Sequence, residues 1–346
     1  MAKVVLKNLY KDYAGTAALT DVNLCIENLE MLVLVGFVGT GKSVLLKTIC
    51  GIEKPSSGEV LIGDKQNINK LKHDNTAMVF TKSSLFNNKT VFYNLAYGLK
   101  LRKIEKIEID KKVNDVAEVL KISDILYKRV KKLPHNLKQL IAIGRAVVRY
   151  PDVLLLDEPF IENAKSALVL MQALIEKFPV TCIYSTHNFN DALYLNKKTA
   201  VIREGILYQQ GLPCKIEDKP FDLDIAKLVQ YNINVFDCTA KQGLISFLDY
   251  KFESAKLKNV VKDKEYYLVI MPDDISQKSS NNAVKLCGTV KIFEDAYILS
   301  AGGGKFFIKQ SKIIDTNKGI EFFIDAEKIH LFDKDTKINI LHKERV

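Results

Sequence analysis

The chain has 346 residues, of which 47% are hydrophobic, so it is long enough for about two or three domains with apolar cores. This composition excludes a disordered chain and a small scaffold held together by disulfides. The 51 basic and 41 acidic residues give a net charge of +10, but they are interleaved, as in Lys103–Glu108, and no nucleic-acid recognition motif accompanies them. We therefore expect no nucleic-acid partner.

The sequence contains no signal for membrane insertion or secretion. No stretch reaches the roughly 18 consecutive apolar residues of a spanning helix, and the first residues lack the apolar core and cleavage site of a signal peptide. We expect the chain to stay in the cytoplasm. The cysteines show no Cys-x-x-Cys spacing, which favours reduced thiols over disulfides or a zinc site: Cys25, Cys50, Cys182, Cys214, Cys238 and Cys287.

Up to about residue 235, short β-branched runs alternate with helical patterns. Predicted strands, each followed by a predicted helix, are Met31–Val35, Ala77–Phe80, Val153–Leu156 and Thr181–Tyr184. This alternation predicts βαβ units and a mainly parallel sheet in a domain that spans residues 1–235. Between about residues 85 and 150 the pattern is mostly helical, which predicts a helical subdomain with one apolar face formed by Ile109, Val113, Val116 and Leu120.

Residues 236–346 have a different pattern of short strands and turns. The predicted strands are Tyr266–Ile270, Val284–Ile292, Tyr297–Leu299, Phe306–Ile308 and Phe322–Ile324. The glycines at 302–304 lie between two of these runs and open no helix, so we interpret them as a hairpin turn. The predicted fold class is therefore an α/β parallel-sheet domain with a helical subdomain, followed by a small β-rich domain.

A glycine-rich segment between a predicted strand and a predicted helix matches the phosphate-binding loop pattern: Gly36, Phe37, Val38, Gly39, Thr40, Gly41, Lys42 and Ser43. Glycines let successive backbone N–H groups turn toward phosphate oxygens, and the helix amino terminus adds positive potential. Lys42 would bridge the terminal phosphates of a bound ligand, and Ser43 would offer its hydroxyl to Mg²⁺. An ordinary glycine-rich turn is the alternative, but the flanking strand and helix favour a phosphate site with Mg²⁺.

Acidic residues and a histidine follow two of the predicted strands. Asp157 and Glu158 come directly after Val153–Leu156, at the edge of the sheet where the phosphate loop also lies. A carboxylate there anchors a metal ion and a second one orients or deprotonates water, so we assign Asp157 to Mg²⁺ and Glu158 to the general base. His187 follows the next strand, where it would reach the γ-phosphate, although a lone histidine is more often structural.

These motifs resemble the nucleotide-binding subunits of ATP-binding cassette (ABC) importers, and the similarity runs almost end to end. The resemblance implies a P-loop nucleoside triphosphatase fold followed by an oligonucleotide-fold-like regulatory domain. The segments Thr90–Arg102, Met271–Asp274 and His330–Asp333 resemble the maltose- and oligosaccharide-importer branch. Tyr13 falls where the family stacks an aromatic ring on adenine, and a plain tyrosine at a strand edge is the alternative.

The chain departs from the family pattern at several positions. Where the family has the signature Leu-Ser-Gly-Gly-Gln, which closes over ATP held by the partner subunit, Leu133–Leu137 reads Leu-Pro-His-Asn-Leu. Pro134 has neither the hydroxyl nor the N–H of the serine that it replaces, so we expect a weak half-site. Thr81 replaces a glutamine that touches Mg²⁺ or the attacking water, Val44 replaces a threonine that helps to bind the α-phosphate, and residues 160–163 replace an aspartate loop.

The resemblance implies an ATPase on the cytoplasmic side of the cell membrane. It would couple hydrolysis to solute uptake through two transmembrane permease subunits, with a solute-binding protein acting indirectly. Carbohydrate is the leading solute class, and polyamine, metal and oxyanion importers carry similar ATPases. The alternative is a hydrolytically impaired subunit that regulates a transporter, which the altered signature favours and the intact Glu158 and His187 oppose.

The same departures bear on assembly. A second ATPase with an intact signature would complete one competent site with this chain, so we expect a heterodimer rather than a slow homodimer. A soluble ABC protein acting on ribosomes or DNA would need two cassettes in one chain or a long coiled-coil insert, and neither is visible in the sequence.

Overall fold

The computed structural model describes residues 2–63, 75–160, 164–230, 232–278, 283–293, 296–309 and 320–342. The chain divides into two compact units, Met1–Pro213 and Cys214–Val346. None of the described helices combines the length and the low charge that crossing a membrane requires.

The first unit mixes strands and helices in alternation. Its strands are Val4–Tyr13 (β1), Thr16–Ile26 (β2), Met31–Val35 (β3), Ser57–Ile62 (β4), Thr76–Val79 (β5), Val153–Asp157 (β6), Thr181–Thr186 (β7), Thr199–Arg203 (β8) and Ile206–Gly211 (β9). Its helices are Lys42–Ile49 (α1), Val91–Leu101 (α2), Lys106–Val119 (α3), His135–Val147 (α4), Lys165–Lys177 (α5) and Phe189–Leu195 (α6).

A six-stranded sheet forms the centre of this unit, in the order β5-β6-β7-β3-β8-β9. All its strand pairs are parallel except β8 with β9. The central strands β3, β6 and β7 are buried along their whole length, which explains why their sequences are continuous apolar runs rather than alternating ones. The predicted α/β parallel-sheet fold is thus confirmed.

A second, antiparallel sheet in the order β2-β1-β4 packs into the same core, and the sequence analysis did not predict it. Against β2, the register of β1 shifts after Leu6 and again after Leu9. Against β4, it shifts after Lys7. Asn8 lies in this irregular stretch with φ at +44°. Because these shifts interrupt the alternation of buried and exposed side chains, the period-2 signal of the strand is lost.

The helices α2, α3 and α4 form the predicted helical segment. Thr90 caps α2 by accepting a hydrogen bond from the N–H of Tyr93 at 3.1 Å. The apolar face predicted on α3 is buried, at 4% exposure or less for each residue: Ile109, Val113, Val116 and Leu120. Gly144 of α4 allows the close approach of these helices, because a Cβ there would lie 2.9 Å from Val116 Cγ1 and 3.0 Å from Leu120 Cδ1.

The rest of the chain is rich in β-structure, as predicted. Its strands are Asn234–Lys241 (β10), Leu244–Phe247 (β11), Tyr250–Glu253 (β12), Lys264–Ile270 (β13), Ile275–Ser276 (β14), Ala283–Phe293 (β15), Ala296–Ala301 (β16), Gly304–Ile308 (β17), Ile320–Asp325 (β18) and His330–Asp333 (β19). Its helices are Pro213–Asp218 (α7), Leu223–Val229 (α8) and Ala255–Lys258 (α9). The glycine turn between β16 and β17 is the predicted hairpin, with positive φ at Gly302 and Gly303.

Two antiparallel sheets share one core in the second unit, in the orders β12-β11-β10-β13-β19 and β14-β18-β15-β16-β17. The buried amide of Asn234 joins them: Nδ2 donates to the carbonyls of Ile270 and Phe307, and Oδ1 accepts from the N–H of Phe307. This polar side chain therefore hydrogen-bonds to a strand of each sheet.

The compact units do not divide where the sequence pattern changes. The segment 214–235 falls within the second unit, whereas we had assigned it to the ATP-binding domain. Leu223 and Ala226 of α8 pack against Val269 and Phe332, and the N–H of Asn339 donates to the carbonyl of Phe221 at 2.8 Å. In sequence, the short helices α7 and α8 continue the alternation of strands and helices. In the structure, they belong to the β-rich unit.

Candidate functional site

The predicted phosphate loop connects β3 to α1 at the carboxyl edge of the parallel sheet. At Gly36 a Cβ would lie 2.2 Å from the carbonyl oxygen of Ile202, so only glycine fits between these strands. Gly41 has φ at +98°, and a Cβ there would lie 2.7 Å from the carbonyl oxygen of Ala18. Both glycines are needed to bring the backbone through the turn and into α1.

Lys42 directs a buried ammonium group into this loop. Its Nζ donates to the carbonyls of Gly36 and Phe37 at 2.6 and 2.7 Å, and it lies 3.0 Å from Oε1 of Glu158. The side chain is only 3% exposed. The cation is thus fixed beside the loop backbone, where the terminal phosphates of a nucleotide would lie.

Ser43 and Asp157 meet beside Lys42. The hydroxyl of Ser43 donates to Oδ1 of Asp157 at 2.9 Å, and the hydroxyl of Ser185 donates to the same oxygen at 3.0 Å. The second contact follows from the sheet register, in which Asp157 of β6 is the partner of Ser185 of β7. The sequence analysis assigned no role to Ser185, although its position at a strand end beside His187 was the available signal.

Glu158, the predicted base, lies between Lys42 and His187. Its Oε1 contacts Lys42 Nζ at 3.0 Å, and its Oε2 lies 3.1 Å from Nδ1 of His187. The backbone of Glu158 is left-handed, with φ at +42°, and its N–H donates to the carbonyl and hydroxyl oxygens of Ser185. A conformation that most residues avoid therefore turns this carboxylate toward the phosphate loop.

A half-buried carboxylate holds the segment that carries His187. Asp191 accepts hydrogen bonds from the hydroxyls of Tyr184 and Thr186, each at 2.9 Å, and from Nδ2 of Asn188 at 3.4 Å. Burial, reinforced by the Asp191 carboxylate, raises the pKa of Tyr184, so its hydroxyl stays a donor. The residues on both sides of His187 are thus tied to α6. The sequence analysis predicted a helix after this strand but not these hydrogen bonds of Asp191.

The remaining residues of the predicted loop differ in exposure. Phe37 and Val38 are exposed, at 38% and 80%, whereas Thr40 is buried with its hydroxyl donating to the carbonyl of Phe37. Gly39 has φ at +83°, and the half-buried Val44 packs on the core. The loop therefore presents its backbone on one side and two apolar side chains to solvent.

Tyr13 lies at the end of β1, outside the cluster around Lys42. Its side chain is 43% exposed, and Nζ of Lys11 lies 4.8 Å from the ring centroid. The ring is therefore accessible for stacking, with a cation already close to it.

The positions that depart from the family pattern are also defined in the structure. The hydroxyl of Thr81 donates to the backbone carbonyl of Asp157 at 2.9 Å, so its side chain is engaged with the end of β6. Leu133–Leu137 leads into α4, which begins at His135 after Pro134 and has no side-chain cap. Of the replaced aspartate loop, residues 161–163 lie outside the described residues.

The arrangement has the parts needed to hold and hydrolyse a nucleoside triphosphate. A glycine-bounded loop and a buried lysine provide donors for phosphate, a serine and an aspartate bring oxygen ligands together, and a second carboxylate stands beside the lysine. Nearly all of it comes from the ends of β3, β6 and β7, where open parallel sheets bind their ligands.

Comparisons with known proteins agree with this geometry. The ABC transporter family model matches residues 19–161. The chain is 31% identical to the trehalose/maltose import ATP-binding protein MalK of Thermococcus litoralis, over 97% of this chain and 99% of the relative. It is 39% identical to the sn-glycerol-3-phosphate import ATP-binding protein UgpC of Roseobacter denitrificans, over 66% of each chain.

A solved structure also resembles this fold. It is cbiO1 of Clostridium perfringens, described as part of the ABC transporter complex cbiONQ, with 28% identity and a TM-score of 0.56 over 62% of this chain and 89% of that one. The phosphate loop, the paired carboxylates and this similarity lead to one conclusion: the chain belongs to the ABC transporter family of ATP-binding, ATP-hydrolysing subunits.

Proposed function

We propose that this chain is the ATP-hydrolysing subunit of an importer and that carbohydrate is the class of solute taken up. The convergence of Lys42, Asp157 and Glu158 at one sheet edge is the observation that carries the hydrolytic part. The similarity to a trehalose/maltose import ATP-binding protein supports the solute class.

The proposed reaction is the conversion of ATP and water to ADP and phosphate. The water oxygen attacks the γ-phosphorus, the bond from that phosphorus to the bridging oxygen breaks, and Glu158 accepts a proton from the water. Lys42 balances charge on the terminal phosphates, because its ammonium is buried and anchored to the loop. His187 orients Glu158 from the other side and reaches the γ-phosphate.

Ser43 and Asp157 fit a Mg²⁺ ion, since a hydroxyl and a carboxylate oxygen meet at 2.9 Å where the phosphates would bind. Mg²⁺ prefers oxygen ligands and is commonly held by one or two carboxylates together with phosphate and water. When bound, the ion would neutralise phosphate charge.

The nucleobase is proposed to stack on Tyr13. The support for this assignment is the exposed ring at the end of β1, with the cation of Lys11 on it. A stacked adenine would extend this arrangement by a second aromatic surface.

Two transmembrane permease subunits are the proposed partners of this chain, and a solute-binding protein would act indirectly. The chain would bind the permease subunits on the cytoplasmic side of the membrane. The support is a cavity of about 460 Å³ between the helical segment and β5, with an apolar floor that includes Phe80 and Ala142. Arg102, Arg145 and Arg149 line the same cavity, and burial lowers the pKa of Arg145 and Arg149. An apolar floor with a cationic wall suits a permease helix that carries a carboxylate.

The second ATP-binding subunit is proposed to be a different protein. In a two-fold dimer each ATP lies between one subunit's phosphate loop and the other's Leu133–Leu137 segment. Pro134 offers no N–H there, and the side chains of His135 and Asn136 stand where glycines would let backbone approach phosphate. A heterodimer would then contain one competent site. The second candidate function, a hydrolytically impaired regulatory subunit, rests on the same Leu133–Leu137 segment.

The experiment is co-expression of the chain with candidate permeases and partner ATPases, followed by purification and counting of subunits. One copy of this chain per complex, with solute-stimulated ATPase activity, is the expected result. Two copies with ordinary activity would contradict the heterodimer. The triple variant Pro134→Ser/His135→Gly/Asn136→Gly tests the proposed defect in the same complex. A higher ATPase rate than that of the parent complex would support the defect, and an unchanged rate in an active complex would oppose it.

A further inference from the structure

Gln139 is a fully buried polar residue that the phosphate chemistry does not explain. It lies on α4, two residues after the Leu133–Leu137 segment, and its exposure is 0%. Its Nε2 donates to the carbonyl of Phe80 at 3.1 Å and also to the carbonyl of Thr81. Two carbonyl acceptors require the nitrogen at this position, so the orientation of the amide is determined by its surroundings.

The other end of the amide is unsatisfied. Oε1 of Gln139 is buried and has no hydrogen-bond partner among the described residues. A buried acceptor without a donor is costly and rare in native proteins, so its presence calls for a functional explanation.

The loop on which Gln139 acts connects two parts of the molecule. Toward the phosphate site, the hydroxyl of Thr81 donates to the backbone of Asp157, whose carboxylate holds Ser43. On the other side, Nη1 of Arg145 donates to the carbonyl of Ser84, and both residues line the cavity of about 460 Å³. Through Gln139 and Arg145, α4 therefore bonds to the first part of the loop at Phe80, Thr81 and Ser84.

We propose that Gln139 is a positioning residue that transmits movement of α4 and the cavity to Asp157 through the carbonyls of Phe80 and Thr81. This inference rests on the proposed function, in which the cavity receives a permease helix. A helix seated in the cavity would contact α4 directly at Ala142 and Arg145. The displacement would reach Asp157 because both donor positions of Gln139 are bonded to the intervening loop.

Gln139→Met and Gln139→Glu test this role, with Gln172→Met on α5 as the matched control. Methionine keeps the length and removes both donors, and an ionised glutamate only accepts hydrogen bonds. In the assembled transporter we expect kcat to fall on the order of tenfold while KM for ATP stays within about twofold, because ATP binding is untouched and the positioning of Asp157 is lost. The control should retain both values.

Thr81→Ala supplies a second test in the same assay. If Gln139 acts through Thr81, the double variant Gln139→Met/Thr81→Ala should lose no more activity than the worse single variant. Multiplicative losses would place the two residues on separate routes and overturn the proposal. So would a kcat of parental size in folded Gln139→Met, or a parallel fall in stability and kcat together with a rise in KM.

Hydrogen exchange on the isolated chain separates this proposal from the proposed function. In the parent, Mg-ATP should change the protection of the amides around residues 80–84, and in Gln139→Met that response should shrink while Mg-ATP affinity stays within about twofold. An equal response in both proteins would overturn the role of Gln139. A parental transporter that binds ATP without turnover would count against the proposed function alone.

Discussion

Replacement of Lys42 by alanine tests whether the buried ammonium group binds nucleotide. Its Nζ makes three contacts, two with loop carbonyls and one with the carboxylate of Glu158. We expect the carbonyl contacts to persist when ATP binds, so that the net change is the exchange of the carboxylate for a phosphate oxygen. A charge-assisted hydrogen bond contributes about 1.5–3 kcal/mol, and because the carboxylate contact is given up on binding, only the lower end of this range applies, so Lys42→Ala should raise the Kd for Mg-ATP roughly 10-fold.

Isothermal titration with Mg-ATP measures this change directly, and circular dichroism shows whether the variant is folded. Lys47→Ala is a matched control, because Lys47 lies on the same helix and its Nζ is 3.6 Å from Glu53. The affinity of this variant should stay within about twofold of the parent, since the contact of Lys47 with Glu53 lies outside the contacts around Lys42. If folded Lys42→Ala bound Mg-ATP as tightly as Lys47→Ala, the assignment of this loop to phosphate would be wrong.

Three further changes have defined outcomes. Glu158→Gln should keep ATP affinity and abolish turnover of the assembled transporter, and equal turnover would move the base elsewhere. Gly144→Ala should lower the free energy of unfolding by about 1–2 kcal/mol in denaturant titrations, because the new Cβ would lie 2.9 Å from Val116. This cost should exceed the gain from the higher helix propensity of alanine. Unchanged stability would mean that the helices adjust. Burial lowers the pKa of His330 from 6.5 to about 4, so the unfolded chain binds the proton first as pH falls. The contribution of His330 to the free energy of unfolding should therefore be complete above about pH 6.5 and should fall by about 3 kcal/mol as the pH is lowered to 4. His330→Gln should lack this pH dependence. If the variant lost as much stability as the parent, the pH dependence would come from other groups.

The sequence predicted best what depends on local pattern. The phosphate loop is contiguous, and the strands β3, β6 and β7 are buried along their whole length, so their apolar runs appear directly in the sequence. Asp157, Glu158 and His187 could be predicted to converge because each follows a strand of the same parallel sheet. The structure places these three side chains together around Lys42 and Ser185.

What the sequence did not reveal depends on contacts between distant segments. Gln139 bonds to Thr81, 58 residues earlier in the chain, and a glutamine on a helix has no pattern that indicates such a partner. Asp191 is three residues beyond Asn188 and looks like an ordinary first-turn acid of α6, although it receives three hydrogen bonds. Tertiary contacts also make the segment 214–235 part of the second compact unit.

The left-handed backbone of Glu158 has a consequence for the evolution of this chain. A residue with φ at +42° carries strain on the order of 1 kcal/mol that glycine would relieve. Glu158→Gly would relieve this strain, but it would also remove the carboxylate that contacts the buried ammonium of Lys42 and that the reaction requires. The backbone conformation therefore favours glycine at this position, whereas the ion pair and turnover both require the carboxylate.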